Sequence, residues 1–281
     1  MGEQRKPWQN VRLMRHTRHM YAAELDAYGE HMRAAGMSVA TMRLKRQHLE
    51  RAFAWLTLAD PWAVTLERLT AYLAAFDWAP ETRKSVRSSL RGFYQWGEAT
   101  DRVPVDPSRK LPKVPVPQGI PHPAPTDITE DALSRADART LLMLKLAAYA
   151  GLRRAEIAGL HTGDIVGDRL FVRGKGGKVR RVPMHADLAH ALAGLPRGYV
   201  FPGRVDGHLS PDRVGRIMAD VLGDNGWTAH SLRHRFATRA YAAERDLLTV
   251  QQMLGHSSVA TTQRYTEAPD DAARRAVDSV A

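Results

Sequence analysis

The sequence predicts a mainly α-helical chain of two domains, with a small β-sheet in the second domain. Three observations lead to this fold class. Apolar residues recur at helical spacing through most of both halves, a stretch with eight prolines at 101–126 interrupts that spacing, and short β-branched runs flank a glycine-rich turn after it. Such a proline-rich stretch favours an extended linker. We therefore expect a helical domain at 1–100, a linker at 101–126 and a mixed domain at 127–281.

The first domain is predicted to contain four or five helices. In SVATMRLKRQHLERAFAWL, Ser38 occupies the position of a helix N-cap. The apolar residues that this helix should turn towards the core are Val39, Met42, Leu49, Phe53 and Leu56. A later stretch, ETRKSVRSSLRGFYQWG, repeats the pattern, with Val86, Leu90 and Phe93 facing inward.

The faces opposite those apolar stripes are basic. The residues concerned are Arg43, Arg46 and Arg51 on the earlier helix and Lys84, Arg87 and Arg91 on the later one. Stripes of this kind can follow a phosphate backbone. An ordinary solvated helix face explains the same spacing equally well, so both interpretations stay open.

The second domain is predicted to alternate helices with one hairpin. DARTLLMLKLAAYAG indicates a buried helix closed by Gly151, RRAEIAGL begins another, and DRLFVRGKGGKVRRVPM has the pattern of a β-hairpin. Three helices follow, in SPDRVGRIMADVLGDNG, AHSLRHRFATRAYAA and RDLLTVQQMLG. The last should end at Gly255, which places His256 just past a helix end and Tyr265 on a short following helix.

The composition indicates a polyanionic partner. The 281 residues carry 41 Lys+Arg against 30 Asp+Glu, a formal net charge of +11. Nucleic acid is the leading candidate, although an Arg-rich proteome gives basic surfaces without that function. The chain has no cysteine, which excludes disulfides and thiol catalysis. With no signal peptide and no apolar run long enough to span a bilayer, we expect a soluble cytoplasmic protein.

Six residues in the second half could together carry phosphodiester chemistry. They are Arg153, Lys175, His230, Arg233, His256 and Tyr265. Each has an ordinary structural explanation when taken alone: Arg153 could pair with Glu156, and Lys175 could serve solubility at a loop tip. HSLRH also has two histidines at zinc spacing, but Ser231 stands where a metalloprotease has its glutamate, so we expect no metal and no cofactor.

As a set, these side chains meet the needs of metal-free phosphoryl transfer. Guanidinium groups bind nonbridging phosphate oxygens and stabilise charge in the transition state. A tyrosine hydroxyl is a nucleophile once cationic neighbours or a base help it to lose its proton, and a lysine can protonate the departing sugar oxygen.

The order of Arg in GLRRAEI, Lys in GKGGK, HSLR, LGH and a tyrosine nine residues later resembles the tyrosine recombinase family of phage integrases and Xer-type recombinases. The resemblance covers 127–281, and 1–100 resembles the family's core-binding domain more loosely. It implies that Tyr265 attacks one DNA strand to form a 3′-phosphotyrosyl link, and that the freed 5′-hydroxyl then attacks a partner duplex. Neither metal nor nucleotide is consumed.

The resemblance also implies a role for each residue of the set. Arg153 and Arg233 would clamp the scissile phosphate and His256 would hydrogen-bond to it. Lys175 would act as general acid, His230 would assist proton transfer, and Glu156 would orient the others. The residues expected to contact DNA outside this site are Arg43, Arg46, Lys84, Arg87 and Arg91.

The same resemblance implies a homotetramer on two duplexes that recognises double-stranded DNA core sites, with an accessory DNA-bending factor as a possible partner. With about 20 residues before the first helix, we expect no separate arm-binding domain. Integration or excision of a phage or mobile element in a bacterial, nucleoid-associated setting is the favoured function. The alternatives are Xer-like dimer resolution, relaxation of the topoisomerase IB type, and a non-catalytic DNA-binding protein of this fold.

Overall fold

The computed structural model describes residues 21–58, 60–117, 121–174, 177–223 and 225–255. The chain divides into two compact units, Met1–Gln118 and Gly119–Ala281. Helices dominate both units, and a small antiparallel sheet lies in the second, which confirms the predicted fold class.

The first unit is built from helices. They are α1 (Ala22–Ala34), α2 (Val39–Leu56), α3 (Leu66–Ala74) and α4 (Pro80–Ala99), with a 3₁₀ turn at Pro61–Ala63. The Ser38 hydroxyl accepts a hydrogen bond from the Thr41 backbone N–H, so the predicted cap of α2 is confirmed. Phe53 and Phe93 meet edge to face at the centre of an aromatic-rich core, with ring centroids 5.3 Å apart.

The inward faces of α2 and α4 are largely as predicted. Leu49, Phe53 and Leu56 are buried, and so are Val86, Leu90 and Phe93. The prediction for Val39 is wrong, because its side chain is 66% exposed. Val39 is the first residue of α2 and lies outside the packed core, whereas the predicted Met42, in the same turn, is half-buried and packs against the core.

The proline-rich segment is not uniformly exposed. Val103 and Leu111 are buried, and Leu111 belongs to the core of the first unit. The Asp106 carboxylate accepts hydrogen bonds from the Ser108 backbone N–H (2.7 Å) and hydroxyl (2.6 Å), which folds the chain into a buried turn.

The second unit packs its helices around a separate core. Its helices are α5 (Thr126–Arg135), α6 (Ala138–Ala150), α7 (Arg154–Ala158), α8 (Ala186–Leu192), α9 (Pro211–Leu222), α10 (Ala229–Glu244) and α11 (Leu247–Leu254). Its strands are β1 (Ile165–Val166), β2 (Arg169–Arg173), β3 (Val179–Pro183) and β4 (Pro202–Val205). Met143 on α6 and Leu232 on α10 are fully buried, and α6 packs along α10.

The predicted hairpin is confirmed as the pair β2–β3. The two strands are antiparallel, with Leu170 opposite Val182 and Val172 opposite Arg180, and β1 adds to the other side of β2. Leu170 and Val182 are fully buried, which fixes the register by turning one face of the hairpin to the core. In the described part of the chain, no helix has the length and apolar character needed to cross a bilayer.

Candidate active site

Three of the six predicted catalytic residues lie in the described part of the chain: Arg153, His230 and Arg233. Lys175, His256 and Tyr265 lie outside the described residues. Along the chain, Lys175 directly follows Gly174 at the end of β2, and His256 directly follows Gly255 at the end of α11.

The structure brings Arg153, His230 and Arg233 to one open cavity of about 890 Å³. Arg154 and Arg216 line the same cavity, and Asp212 is the acidic residue among its lining side chains. The excess of guanidinium groups makes the cavity suited to an anion such as a phosphodiester.

A left-handed glycine places Arg153 at the cavity. Gly151 ends α6 with φ +62°, and a Cβ at this position would lie 2.5 Å from the Phe236 ring. The chain can therefore turn sharply after α6. Arg153 becomes the N-cap residue of α7, with its side chain 40% exposed towards the cavity.

Arg233 lies almost completely inside the protein, with 1% of its surface exposed. Its guanidinium group donates hydrogen bonds to the Gly151 carbonyl and to the Leu254 carbonyl (2.6 Å). These carbonyls lie at the C-terminal ends of α6 and α11, where the helix dipoles concentrate negative charge. The helix ends thus stabilise a buried cation and fix its position in the wall of the cavity.

Glu156 connects the cationic residues. Its side chain is 6% exposed and accepts hydrogen bonds from the Arg153 guanidinium (2.9 Å) and the Arg153 backbone N–H (2.8 Å). Arg233 lies 3.8 Å from the same carboxylate. Burial alone would raise the pKa of Glu156, but the hydrogen bonds from Arg180 and Arg153 and their positive charges lower it below its ordinary value. Glu156 is therefore an anion at neutral pH that contacts Arg153, Arg180 and Arg233. Its role as an orienting residue stays a prediction.

Arg180 is a further member of this group that sequence reasoning missed. Its guanidinium makes two hydrogen bonds of 2.8 Å to the Glu156 carboxylate, and its Nε donates to the Met253 carbonyl at 2.7 Å. It thus joins β3 to the last turn of α11, directly before His256. Strand alternation does hold a signal, because Arg180 shares a face with the buried Val182, and a cation on a buried face requires a counter-charge.

His230 lies on the first turn of α10, whose N-cap Thr228 accepts a hydrogen bond from the His230 backbone N–H (3.2 Å). His230 and Arg233 both line the cavity, consistent with their i, i+3 spacing on one helical face. The Nε2 atom of His230 lies 2.9 Å from the Nε2 atom of His234, one turn further along α10.

The residues predicted to contact DNA have different environments in the first unit. Arg43 and Lys84 are exposed, and Arg87 and Arg91 are half-buried, with Arg87 donating to the Leu111 carbonyl (2.7 Å). Arg46 makes ion pairs with Asp26 (2.5 Å) and Glu50 (3.0 Å), so much of its charge is compensated within the protein.

Arg51, also on the basic face of α2, is exposed and lies over the Phe76 ring at 5.1 Å. Because a cation over an aromatic ring can remain accessible to solvent, this contact leaves its charge available at the surface.

Comparison with known proteins agrees with these features. Residues 126–271 match the phage integrase family. Tyrosine recombinase XerD of Caulobacter vibrioides is 34% identical over 241 residues, 74% of this chain and 78% of that protein. Tyrosine recombinase XerC of Pseudomonas aeruginosa PAO1 is 31% identical, covering 87% of this chain and 89% of that protein.

Solved structures show the same fold at lower identity. A lambda integrase dimer bound to a COC′ core site is 19% identical with a TM-score of 0.70, covering 85% of this chain and 96% of that one. XerH site-specific recombinase bound to its difH substrate is 20% identical with a TM-score of 0.64, covering 92% of this chain and 84% of that one. Together with the family match and the Xer relatives, this fold leads to one conclusion: the chain belongs to the phage integrase family and is a tyrosine recombinase.

Proposed function

We propose that this recombinase cuts and rejoins double-stranded DNA at specific core sites, with Tyr265 as the nucleophile. The observation that carries the proposal is that Arg153, His230 and Arg233 line one cationic cavity. The buried Glu156 carboxylate contacts both arginines and holds them in place. A phosphodiester in this cavity would meet donors on preorganised side chains, which is the main requirement for stabilising a phosphoryl-transfer transition state.

The proposed reaction is a pair of transesterifications. The Tyr265 hydroxyl loses its proton with the assistance of His230, and its oxygen attacks the phosphorus atom. The bond to the 5′-oxygen breaks, and Lys175 gives that oxygen a proton. Arg153 and Arg233 hold the nonbridging oxygens, with His256 as a further donor and His230 as the residue that assists proton transfer. The 5′-hydroxyl of a second duplex then returns a proton to Lys175 and attacks the phosphotyrosyl link, and the released Tyr265 oxygen recovers its proton. One ester bond forms for each that breaks, so no energy source is needed.

For the biological role we propose Xer-type recombination between like sites, carried out by a homotetramer holding two duplexes. The XerC and XerD names of the relatives favour this over the integration of a phage or mobile element, which was favoured on the sequence. Integration remains the second candidate, because the phage integrase family as a whole matches residues 126–271. An accessory DNA-bending factor would act by lowering the cost of bending the core site.

The test of the chemistry is a covalent-complex assay. The full-length protein is incubated, with excess chelator, with nicked duplexes taken from the neighbourhood of its own gene and from chromosome dimer-resolution sites. The expected result is a protein–DNA band on a denaturing gel that Tyr265→Phe abolishes. A band that persists in Tyr265→Phe, or a footprint on the same DNA with no cleavage by the wild type, would overturn the proposal, the second in favour of a DNA-binding protein.

The position of the covalent link then identifies the core site, which allows the two roles to be separated. Two plasmids are prepared. The first carries two copies of the core site, and the second carries one copy of it together with a non-identical partner sequence, of the kind that would flank the other end of an integrated phage or mobile element. Xer-type action predicts exchange on the first plasmid. Exchange confined to the second would establish integration instead, and relaxation without exchange would indicate a topoisomerase.

A further inference from the structure

Three groups form a hydrogen-bonded chain beside the cavity. The His122 backbone N–H donates to Nδ1 of His234 at 2.9 Å, and Nε2 of His234 lies 2.9 Å from Nε2 of His230. The His122 ring stacks on Trp227, with centroids 4.1 Å apart and planes inclined by 18°. Trp227 directly precedes the N-cap of α10, so the stacking holds this part of the chain against the helix that carries both histidines.

The first link determines the direction of the second. A backbone N–H can only donate, so Nδ1 of His234 must present a lone pair. A neutral imidazole then carries its proton on Nε2, and His234 donates from there to Nε2 of His230. Because that nitrogen of His230 accepts, the proton of neutral His230 must lie on Nδ1.

We propose that His234 is a positioning residue that holds His230 in the Nδ1–H tautomer, with the main chain at His122 setting the polarity of the pair. In this tautomer Nδ1 of His230 is a hydrogen-bond donor, and the only lone pair of the ring, on Nε2, already accepts the hydrogen bond from His234. His230 can therefore take up a proton during cleavage only when that hydrogen bond breaks. The tautomer is inferred from the two hydrogen bonds of His234 and does not depend on the proposed function. Its consequence for cleavage rests on the proposed function.

The tautomer can be measured without any DNA. In full-length protein labelled with ¹⁵N-histidine, long-range proton–nitrogen correlations at neutral pH distinguish the protonated ring nitrogen from the unprotonated one. His230→Gln and His234→Gln assign the signals. We expect His230 protonated on Nδ1 and His234 on Nε2. A His230 ring in the Nε2–H form that free histidine prefers would overturn the proposal.

Two substitutions at position 234 test the consequence. His234→Phe keeps a ring but removes the donor, and His234→Gln retains an N–H donor near the same place. We expect His234→Phe to lower the rate constant of covalent-complex formation about 10-fold, the scale of outer-shell partners, with unchanged affinity for DNA. His234→Gln should recover much of the loss. His190→Phe, at an exposed histidine on α8, is the matched control and should change neither rate nor tautomer.

The two variants also separate a structural effect from the proposed one. If His234→Phe left the His230 tautomer and the cleavage rate unchanged, the proposal would be wrong. If His234→Gln were as slow as His234→Phe while His230 stayed in the Nδ1–H form, His234 would act through packing and not through its donor. Failure of the Tyr265 assay would leave the spectroscopic result standing, so the two proposals can fail independently.

Discussion

At the scale of single residues, Glu156 is the acidic centre of the site. It accepts hydrogen bonds from two guanidinium groups in a nearly closed environment, so its removal would leave buried positive charge without compensation. Breaking a buried pair by removing one partner typically costs about 3–5 kcal/mol. We therefore expect Glu156→Gln to lower the free energy of unfolding by about 3 kcal/mol at pH 7, measured by urea titration, while Glu30→Gln on the exposed face of α1 changes it little.

The same carboxylate should make stability depend on pH. Its pKa is lower in the folded protein than its ordinary value, so its contribution is fully present above the unfolded pKa and is lost as the pH falls through the folded pKa. The difference between wild type and Glu156→Gln should thus be constant from pH 7 to about pH 5 and shrink below about pH 4.3, the ordinary value for Glu. A difference that grows on acidification would contradict this assignment.

Arg180 offers a test of geometry against charge. Lysine at this position keeps the cation but cannot contact both carboxylate oxygens of Glu156 and the Met253 carbonyl together. We expect Arg180→Lys to form the covalent complex about 10-fold more slowly, with normal binding in a gel-shift assay. Arg181→Lys is the matched control, because Arg181 is the exposed neighbour on the same strand. If the two variants formed the covalent complex at equal rates, the contacts of Arg180 would not contribute to cleavage.

At the scale of elements, the site is formed where helices end. Both α6 and α11 end at a glycine with positive φ, Gly151 and Gly255, and Arg233 binds carbonyls at both ends. These C-caps fix the direction in which the chain leaves each helix. The cavity therefore depends on two turns as much as on the side chains that line it.

Gly255→Ala should separate the strain of the turn from the position of Arg180. Gly255 has φ +64°, and a Cβ there would lie 2.9 Å from Cδ of Arg180. Gly194 has φ +75° with nothing within 4 Å, so Gly194→Ala is the control for backbone strain alone. We expect each variant to lose about 1 kcal/mol of stability, and cleavage to slow in Gly255→Ala alone. Equal cleavage by both would show that the contact with Arg180 is unimportant.

At the scale of the whole molecule, the excess of positive charge should govern affinity for DNA. The net charge is +11, and each phosphate contact releases counterions, so log K should fall linearly with log salt. Lys84 and Arg43 are exposed on the basic faces of the first unit, whereas the charge of Arg46 is already paired with Asp26 and Glu50. The two kinds of basic residue should therefore contribute differently.

We expect Lys84→Gln to reduce the magnitude of the salt slope by about 0.9, and Arg46→Gln to reduce it by less. Arg33→Gln removes the same charge from an exposed position on α1 outside both basic faces, so it controls for net charge. The measurement is fluorescence anisotropy with a core-site duplex over a range of salt concentrations. Identical slopes for Lys84→Gln and Arg33→Gln would mean that Lys84 is simply solvated.

The sequence by itself determined most of the helices, the helix ends at Ser38, Gly151 and Gly255, and the hairpin, because these features depend on residues close together in the chain. Ser38 caps its own helix and Gly255 ends its own. Leu170 and Val182 belong to one hairpin. The sequence also revealed the resemblance to the family to which the chain belongs. That resemblance is carried by the ordered set Arg153, Lys175, His230, Arg233, His256 and Tyr265.

The sequence also indicated the local pair of Arg153 with Glu156, but only the tertiary structure decided how the other side chains at the site are held. Arg180 is 24 residues from Glu156, Arg233 is 21 from Leu254, and His122 is 112 from His234. Val39 likewise follows the apolar pattern of α2 but lies beyond the point where the core begins. The periodicity of apolar residues indicates which face of a helix or strand is buried. It does not indicate which side chains will contact each other in the site, because those contacts depend on how elements distant in the chain pack together.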